Sequence, residues 1–316
     1  MKNIKKFLKF VKTSILYLWR RNKYKKVDFF QYEKLAKSNI VIPYGLISVF
    51  LYGNYKAVAQ LKGSVFNFWN EYLEHGVAYI ESLDSISFGG YADRKTIKKI
   101  YTYSENRKQV ILKYLAHNGF KKEVIALGPY IKGSSHFYSI DELQNLKAKY
   151  GKILLVFPMH SIPGAKAQYD HVAFMNAIKE VSSYFDNVFV CMYWHDILED
   201  NSLIEEYEKQ GYIIVCNGHK GDPKFLNRQK DLIYLSDMVM TNALGTYMGY
   251  AICMQKPLYF YTQKIFYKLD TDPSLEAMSS EKKLLIEYAR LFGNFSFDIT
   301  EEQITMIKKY WGEWKD

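Results

Sequence analysis

Short apolar segments alternate with longer amphipathic segments along most of the chain. In the second half, five apolar runs have the length of buried strands and cover residues 153–157, 188–192, 213–216, 238–240 and 258–261. Segments with helical periodicity separate them, near residues 170–184, 198–210, 224–234 and 245–254. Strands that alternate with helices are typical of parallel sheets with right-handed crossover connections. The pattern therefore predicts a five-stranded Rossmann-like sheet in the second half.

The first half shows the same alternation less clearly. Its candidate strands cover residues 40–44, 77–80, 100–104 and 124–127. An aromatic segment at 66–72 favours a helix, and a second helix over 107–117 is expected to end at Asn118-Gly119, a common C-cap sequence. A linker is predicted within residues 131–150. The tail is expected to be helical over 279–292 and 300–314.

These elements predict an α/β fold with two Rossmann-like domains that face a cleft, preceded by a basic amphipathic helix. The predicted boundaries are 1–27 for the N-terminal arm, 28–135 and 150–278 for the two domains, and 279–316 for the C-terminal helices. Ligands of open α/β folds bind at the carboxyl ends of the strands. Neither GxGxxG nor GxxxxGK[ST] occurs, which disfavours nicotinamide enzymes and P-loop ATPases.

The net charge of +10 changes this picture only at the N-terminus. Residues 1–26 contain ten Lys and Arg and no acidic residue, so the rest of the chain is balanced (10 − 10 = 0). A nucleic-acid binder usually spreads its basic residues over a folded domain, so a nucleic-acid partner is not expected. Apolar residues recur between the lysines at helical spacing: Ile4, Phe7, Leu8, Val11, Ile15, Leu18 and Trp19.

Two interpretations of this arm stay open. A basic amphipathic helix with Trp and Phe on one face fits an anionic membrane surface, which residues 1–26 would bind. The alternative is a helix that packs on the protein's own body. Lys9 and Lys12 interrupt the apolar run, so the arm resembles neither a secretory signal nor a membrane span.

The cysteines bear on the cellular compartment. Cys191, Cys216 and Cys253 lie in apolar surroundings without CxxC spacing, as buried thiols of a reducing compartment do. Together with the arm, they predict a cytoplasmic protein that is peripheral on the inner face of the cytoplasmic membrane.

Polar residues follow four consecutive predicted strands of the second half. They are His160 and Ser161, then residues 193–196, then 217–222, then 241–246. Because the carboxyl ends of parallel strands meet at one edge of a sheet, these groups are expected to lie together. Among them, Asn242, Gly245 and Thr246 open a helix, where free backbone amides suit a phosphate or diphosphate. The alternative is an ordinary N-cap made by Thr241, Asn242 or Thr246.

Two histidines are candidate catalytic bases. His75 precedes a glycine, which allows a ligand to approach the backbone closely, and His160 directly follows a buried strand. A hydrogen-bonded structural role is the alternative for each. The seven histidines show no metal-ligand spacing, and no metal is predicted.

Several of these segments resemble a known group of enzymes. They are His75-Gly76 and residues 127–130, 154–161, 218–228 and 236–257, the last with the pattern SD, TN, GT, YA and KP. In these segments the chain resembles GT-B-type glycosyltransferases and the related polyol-phosphate transferases of bacterial capsule and lipopolysaccharide biosynthesis. The likeness covers most of residues 70–262.

The resemblance implies a metal-independent, cofactor-free enzyme that moves a sugar from a nucleotide-sugar to a glycan or lipid-linked glycan acceptor. The domain at 28–135 would hold the acceptor and the domain at 150–278 the donor. His75 or His160 would be the catalytic base. The donor-binding residues would be Ser161, Gly218, His219, Asp222, Arg228, Asn242, Gly245 and Thr246, with Gly245 and Thr246 at the diphosphate and His219 and Arg228 adding positive charge.

Other functions stay open. Polyol-phosphate transferases have a serine pair where this chain has Leu244-Gly245-Thr246, and this departure favours a sugar donor over CDP-glycerol. A CDP-polyol phosphotransferase, an epimerase-like nucleotide-sugar enzyme and a non-catalytic scaffold are the alternatives.

Overall fold

The computed structural model describes residues 2–79, 94–199, 201–269 and 282–314. The α-helices of these ranges, α1 to α13 in chain order, are Lys2–Tyr24, Tyr32–Ala36, Ile47–Phe50, Asn54–Leu61, Glu105–His117, Ile140–Tyr150, His171–Ser182, Trp194–Glu199, Ser202–Lys209, Phe225–Leu235, Thr246–Cys253, Lys282–Phe292 and Glu301–Trp311. The strands, β1 to β10, are Glu71–Leu73, Lys99–Thr102, Glu123–Ala126, Ile153–Phe157, Ala165–Gln168, Asn187–Cys191, Ile213–Val215, Met238–Thr241, Leu258–Phe260 and Phe266–Leu269.

The second half contains the predicted five-stranded sheet. Its strand order is β7-β6-β4-β8-β9, and all four pairings are parallel. The central strand β4 is buried along its whole length, as expected of an apolar run covered by helices on both faces. The prediction of a mixed α/β fold with parallel sheets is therefore confirmed.

The first half contains a smaller parallel sheet with the order β1-β2-β3. The strands predicted at 100–104 and 124–127 correspond to β2 and β3. The other two strand predictions fail for the described residues. Residues 40–44 form an irregular loop with Pro43, which has no backbone donor for a ladder, and 77–79 are not a strand either. Ile80 lies outside the described residues.

Two further elements differ from the prediction. Strand β1 occupies part of the aromatic segment that was predicted to be helical, and its residues Glu71, Tyr72 and Leu73 are all buried. Strands β5 and β10 form an antiparallel pair that was not predicted. Only Ala165 and Ala167 of β5 are buried apolar residues, so its sequence carries little strand signal.

Residues 131–150 are more ordered than a linker. They contain part of a 3-10 turn, Tyr130–Gly133, and helix α6, which begins with a capping box between Ser139 and Glu142. A Cβ at Gly133 would lie 2.3 Å from the carbonyl oxygen of Ala57, so the turn packs directly on α4. The predicted domain boundaries stay predictions, and the one at 278/279 falls outside the described residues.

Helix α1 is a 23-residue helix packed on the body along one side. Tyr17 is 3% exposed, with its ring 5.0 Å from that of Phe50, and the Thr13 hydroxyl accepts a hydrogen bond from the Tyr44 amide. Within the described ranges, none of the helices has both the length and the apolar character that crossing a bilayer requires.

A buried ion pair holds the end of β1. The Glu74 carboxylate accepts hydrogen bonds from the Arg107 guanidinium at 2.8 and 3.0 Å and from Thr102, and both charged side chains are 4% exposed. Charge-assisted bonds of this kind are strong when both partners are buried. Because Glu74 precedes His75, this pair also fixes the start of the His75 loop.

We expect Arg107→Leu to lower the free energy of unfolding by about 3–5 kcal/mol, because the Glu74 carboxylate is then buried without its partner. Urea denaturation at neutral pH measures the change. The control is Arg290→Leu, which breaks the exposed Arg290–Glu302 pair and is expected to change stability little. If both variants lose the same free energy of unfolding, the stabilising role of the buried Glu74–Arg107 pair is contradicted.

Candidate functional site

A cavity of about 290 Å³ lies at the carboxyl edge of the five-stranded sheet, and the loop after β1 of the smaller sheet also lines it. His75 and Gly76 reach it from the end of β1 in the first half. Each of the strands β4, β6 and β7 is followed by lining residues, and the start of α11 completes the wall: Pro158, Met159, His160, Tyr193, Trp194, Asn217, Gly218, Gly245 and Thr246. Part of the polar residues expected at this sheet edge therefore line one cavity, and their role stays a prediction.

The N-terminus of α11 opens into this cavity. Gly245 is its N-cap residue, and no side chain caps the helix. The Met248 amide donates to the Gly245 carbonyl oxygen at 3.1 Å, whereas the two amides before it lie ahead of this first hydrogen bond and carry the positive end of the helix dipole. The helix start therefore offers hydrogen-bond donors to an anion.

The three side chains that were expected to make an ordinary N-cap are engaged elsewhere. The Thr246 hydroxyl oxygen lies 3.3 Å from the Val77 amide, which donates to it. The Asn242 side-chain oxygen accepts from the Met159 amide at 2.7 Å, and the Thr241 hydroxyl accepts from the Ala243 amide at 3.2 Å. The capping alternative is therefore not realised in this structure.

The backbone at the start of α11 is tightly supported. A Cβ at Gly245 would lie 2.3 Å from the Tyr247 ring, which stacks on Phe157 with ring centroids 4.4 Å apart. From behind, the Trp311 indole N–H of α13 donates to the carbonyl oxygen of Thr246 at 3.0 Å. Only glycine fits at 245, and the helix start is fixed before any ligand arrives.

His75 lies beside this helix start. Its carbonyl oxygen accepts a hydrogen bond from the Asn54 side chain at 2.8 Å, and the following residues Gly76 and Val77 contact Thr246. His75 lines the cavity and is exposed to solvent. Partial desolvation by the surrounding protein nevertheless lowers the pKa of His75, which favours the neutral imidazole that a base requires.

His160 occupies the opposite part of the wall. Its ring stacks on Tyr193 with centroids 4.1 Å apart, and its Nδ1 lies 3.1 Å from the Ser161 carbonyl oxygen. Since a carbonyl oxygen only accepts, Nδ1 carries the proton and Nε2 keeps its lone pair. Burial lowers the pKa of His160, although the nearby Asp196 carboxylate opposes this shift.

The walls of the cavity are aromatic and uncharged. Its described lining contains no Lys, Arg, Asp or Glu, and the rings come from Tyr52, Phe157, Tyr193, Trp194, Phe225, Tyr247, Tyr250 and Tyr267. Asn217 is 5% exposed, and its side-chain oxygen has no hydrogen-bond partner among the described residues. Such an unpaired buried acceptor is costly unless a ligand donates to it.

The predicted site residues fall into two groups. His75, His160, Gly218, Gly245 and Thr246 line the cavity, whereas Ser161, His219, Asp222, Arg228 and Asn242 lie behind it. Ser161 is buried, and its hydroxyl accepts from the Ala167 amide at 3.1 Å. His219 is 6% exposed, and burial lowers its pKa to about 4, so it adds no positive charge at neutral pH.

Arg228 was predicted to contact the donor, but it is fully buried in structural contacts. Its guanidinium pairs with Asp222 at 2.9 Å and donates to the backbone carbonyl oxygens of Asn217, Val27 and Tyr24. Four of its five N–H groups donate to these acceptors, and Arg228 does not line the cavity. The geometry gives Arg228 and Asp222 a role in supporting the wall.

Tyr52, Asn54 and Tyr267 also line the cavity, although no sequence pattern predicts them there. Tyr52 has a positive φ of 58°, uncommon for a bulky residue, and its amide donates to the Lys220 carbonyl oxygen at 2.7 Å. Its hydroxyl lies 3.4 Å from that of Tyr193. Gly53 next to it marks a turn, but nothing in the local sequence indicates that the tyrosine reaches the second half.

No group of three or more His, Cys, Asp and Glu side chains with metal-binding geometry occurs in the parts of the chain that the structure covers. The absence of a metal requirement stays a prediction. All three cysteines are buried, and none of them forms a disulfide.

No family model matches the chain, and no curated protein matches it. Among solved structures, it is similar to Anabaena HepE in complex with UDP and glucose, at 11% identity and a TM-score of 0.32, over 57% of this chain and 48% of HepE. S. aureus MnaA with UDP is 13% identical, with a TM-score of 0.38 over 83% of this chain and 74% of MnaA. The wall teichoic acid polymerase TagF is 11% identical, with a TM-score of 0.36 over 74% of this chain and 58% of TagF. Similarity at this level assigns no family, and the function below is inferred from the site itself.

Proposed function

We propose that the chain is a glycosyltransferase that moves a sugar from a nucleotide-sugar donor to a glycan acceptor of capsule or lipopolysaccharide biosynthesis. In this proposal, the two α/β halves face each other across the cavity in a GT-B-like arrangement. The single observation that carries the proposal is the uncapped N-terminus of α11, which opens into a neutral aromatic cavity beside a histidine of lowered pKa.

The donor diphosphate is assigned to the start of α11. Its backbone amides would donate to the phosphate oxygens, and the helix dipole would stabilise their negative charge. The lining contains no cation in its described part, so this dipole and the amides supply the electrostatic stabilisation. The aromatic walls would strengthen that interaction because apolar side chains lower the local dielectric.

The acceptor is assigned to the side of the first half. His75, Tyr52 and Asn54 line the cavity there, and the His75 loop contacts Thr246 of α11. This contact would bring an acceptor hydroxyl and the donor sugar together at the junction of the two halves. The resemblance of the sequence to GT-B-type enzymes supports the same division between donor and acceptor.

The chemistry follows from these positions. The neutral imidazole of His75 would remove the proton from the acceptor hydroxyl as its oxygen attacks the anomeric carbon. The bond from that carbon to the diphosphate oxygen breaks, and the nucleoside diphosphate leaves with the electron pair. The start of α11 stabilises the charge that develops on the leaving oxygen. His160 is the second candidate for the base, through its Nε2.

Donor binding tests the proposal directly. We expect one of the CDP-, UDP- or GDP-linked sugars to raise the melting temperature, because a ligand at 100 times its Kd stabilises the native state by about 2.7 kcal/mol. Thr246→Asp should weaken this binding at least about tenfold, because its carboxylate suits the helix dipole but repels a diphosphate.

The matched control is Val172→Asp, which places an acid in the first turn of α7 at an exposed position. It should leave donor binding unchanged. If none of the nucleotide-sugars raises the melting temperature, the transferase proposal is overturned. Tight binding of CDP-glycerol alone, with transfer of its phosphoryl group, would establish the polyol-phosphate alternative.

The base assignment makes a kinetic prediction. In an assay with a donor that the chain binds and an acceptor that it glycosylates, His75→Gln should lower kcat by about 10²- to 10⁴-fold, because general base catalysis contributes that much. Since only the neutral imidazole accepts a proton and its pKa is lowered, wild-type activity should fall only below about pH 6.5, the ordinary histidine value.

His117→Gln changes an exposed histidine of α5 and is the control, with activity expected near wild type. His160→Gln tests the second candidate in the same assay. If both His75→Gln and His160→Gln retain wild-type turnover, neither histidine is the base.

A further inference from the structure

Helix α1 exposes a continuous apolar face although it is packed on the body. The seven apolar residues that recur at helical spacing are between 36% and 65% exposed: Ile4, Phe7, Leu8, Val11, Ile15, Leu18 and Trp19. We call these seven residues the outer face of α1. Soluble monomers seldom leave so many large apolar side chains side by side in water, and such patches mark interaction sites.

The orientation of this face is fixed by the opposite side of the helix. Tyr17 is buried against Phe50, and its hydroxyl lies 3.3 Å from that of Tyr55. The Thr13 hydroxyl accepts from the Tyr44 amide at 2.8 Å, and the Lys9 ammonium lies 4.4 Å from the Tyr44 ring centroid. The helix therefore packs on the body and still presents a free apolar face, which combines the two interpretations left open by the sequence.

The apolar surface continues from the helix onto the body. Phe10 contacts Trp69 with ring centroids 6.1 Å apart, and Trp69 is 72% exposed. Val65, in the same loop after α4, is 89% exposed. Exposed Trp side chains beside an amphipathic helix are typical of proteins whose surface sits at the interface of a bilayer.

Positive charge borders this surface. At 100° per residue, Lys5, Lys12 and Lys23 lie along one edge of the outer face, and residues 1–26 contain no acidic side chain. Each Lys or Arg held near an anionic leaflet is attracted to it, and the attraction is screened by salt.

From these observations we propose that the outer face of α1, extended by Trp69, binds the surface of an anionic lipid bilayer. The apolar side chains would enter the boundary between headgroups and acyl chains while the lysines contact the headgroups. Charge complementarity selects this occupant over a second copy of the chain. An α1–α1 contact would place two arms of ten positive charges each side by side, without an acidic partner in either.

Membrane binding on this surface is independent of the donor chemistry, but it has a consequence for the cavity. Helix α1 ends at Tyr24, and the carbonyl oxygens of Tyr24 and Val27 accept hydrogen bonds from Arg228. The same guanidinium bonds the Asn217 carbonyl oxygen in the cavity wall. A bound bilayer would thus have a defined orientation relative to the cavity, which suits an acceptor held at a membrane.

The test is vesicle flotation of the full chain at low and high salt. We expect binding to phosphatidylcholine vesicles that contain about 30 mol % phosphatidylglycerol, and much weaker binding to phosphatidylcholine alone. The double variant Phe7→Glu/Trp19→Glu should lower binding at least about tenfold, because carboxylates on the outer face are repelled by the leaflet. Trp69→Ser should lower it by a smaller factor.

The matched control is Val172→Glu/Ile286→Glu, which changes two apolar side chains that are 63% and 68% exposed at other sites. It should bind as the wild type does, and circular dichroism checks that both double variants are folded. Absence of binding to the anionic vesicles, or equal binding of the two double variants, would overturn the proposal. A concentration-dependent dimer that Phe7→Glu/Trp19→Glu abolishes, without lipid binding, would assign the surface to a second copy.

Discussion

The buried guanidinium of Arg228 joins the end of α1 to the loop after β7, two segments that are distant in sequence. It bonds the end of α1, the loop after β7 and the Asp222 carboxylate, and its side chain is fully buried on α10. Burying a charge costs several kcal/mol unless its partners satisfy it, so all of these acceptors have to be held in place together. The arrangement of α1, of the wall at Asn217 and Gly218, and therefore of the cavity depends on this one group.

That constraint explains how a neutral cavity can be shaped by a charged residue. Arg228 and Asp222 neutralise each other behind the lining, which leaves backbone groups, imidazoles and aromatic rings at the surface of the cavity. In such a site, the low polarity of the walls makes the helix dipole at the start of α11 more effective. A second contact, between Val77 and Thr246, brings the first half of the chain to the same point.

The sequence predicts the second half well because its strands are buried on both faces. Apolar runs such as 153–157 are read directly from hydropathy, and the polar residues after them show where the site lies. Short strands without an apolar run cannot be predicted from hydropathy in this way. Strand β1 has Glu71 paired with Lys62, and β5 is Ala-Lys-Ala-Gln, so neither is an apolar run. Their pairing is decided by tertiary contacts, which override local propensity.

Individual site residues are harder to predict for a related reason. Gly245 and Thr246 are recognisable because a helix start has a local signature. Arg228 looks like a ligand cation in the sequence, since local sequence does not show that its partners are Asp222 and carbonyl oxygens as far away as Tyr24. Tyr52 reaches the cavity only because a backbone with positive φ turns it toward Tyr193.

The central claim is that the start of α11 holds the donor diphosphate. It is tested most directly by a crystal structure of the chain with the nucleotide-sugar that binds it most tightly. The account predicts phosphate oxygens at about 2.7–3.2 Å from amide nitrogens of the first turn of α11, in the cavity that contains His75. A diphosphate bound outside this cavity, with the start of α11 facing water, would contradict it.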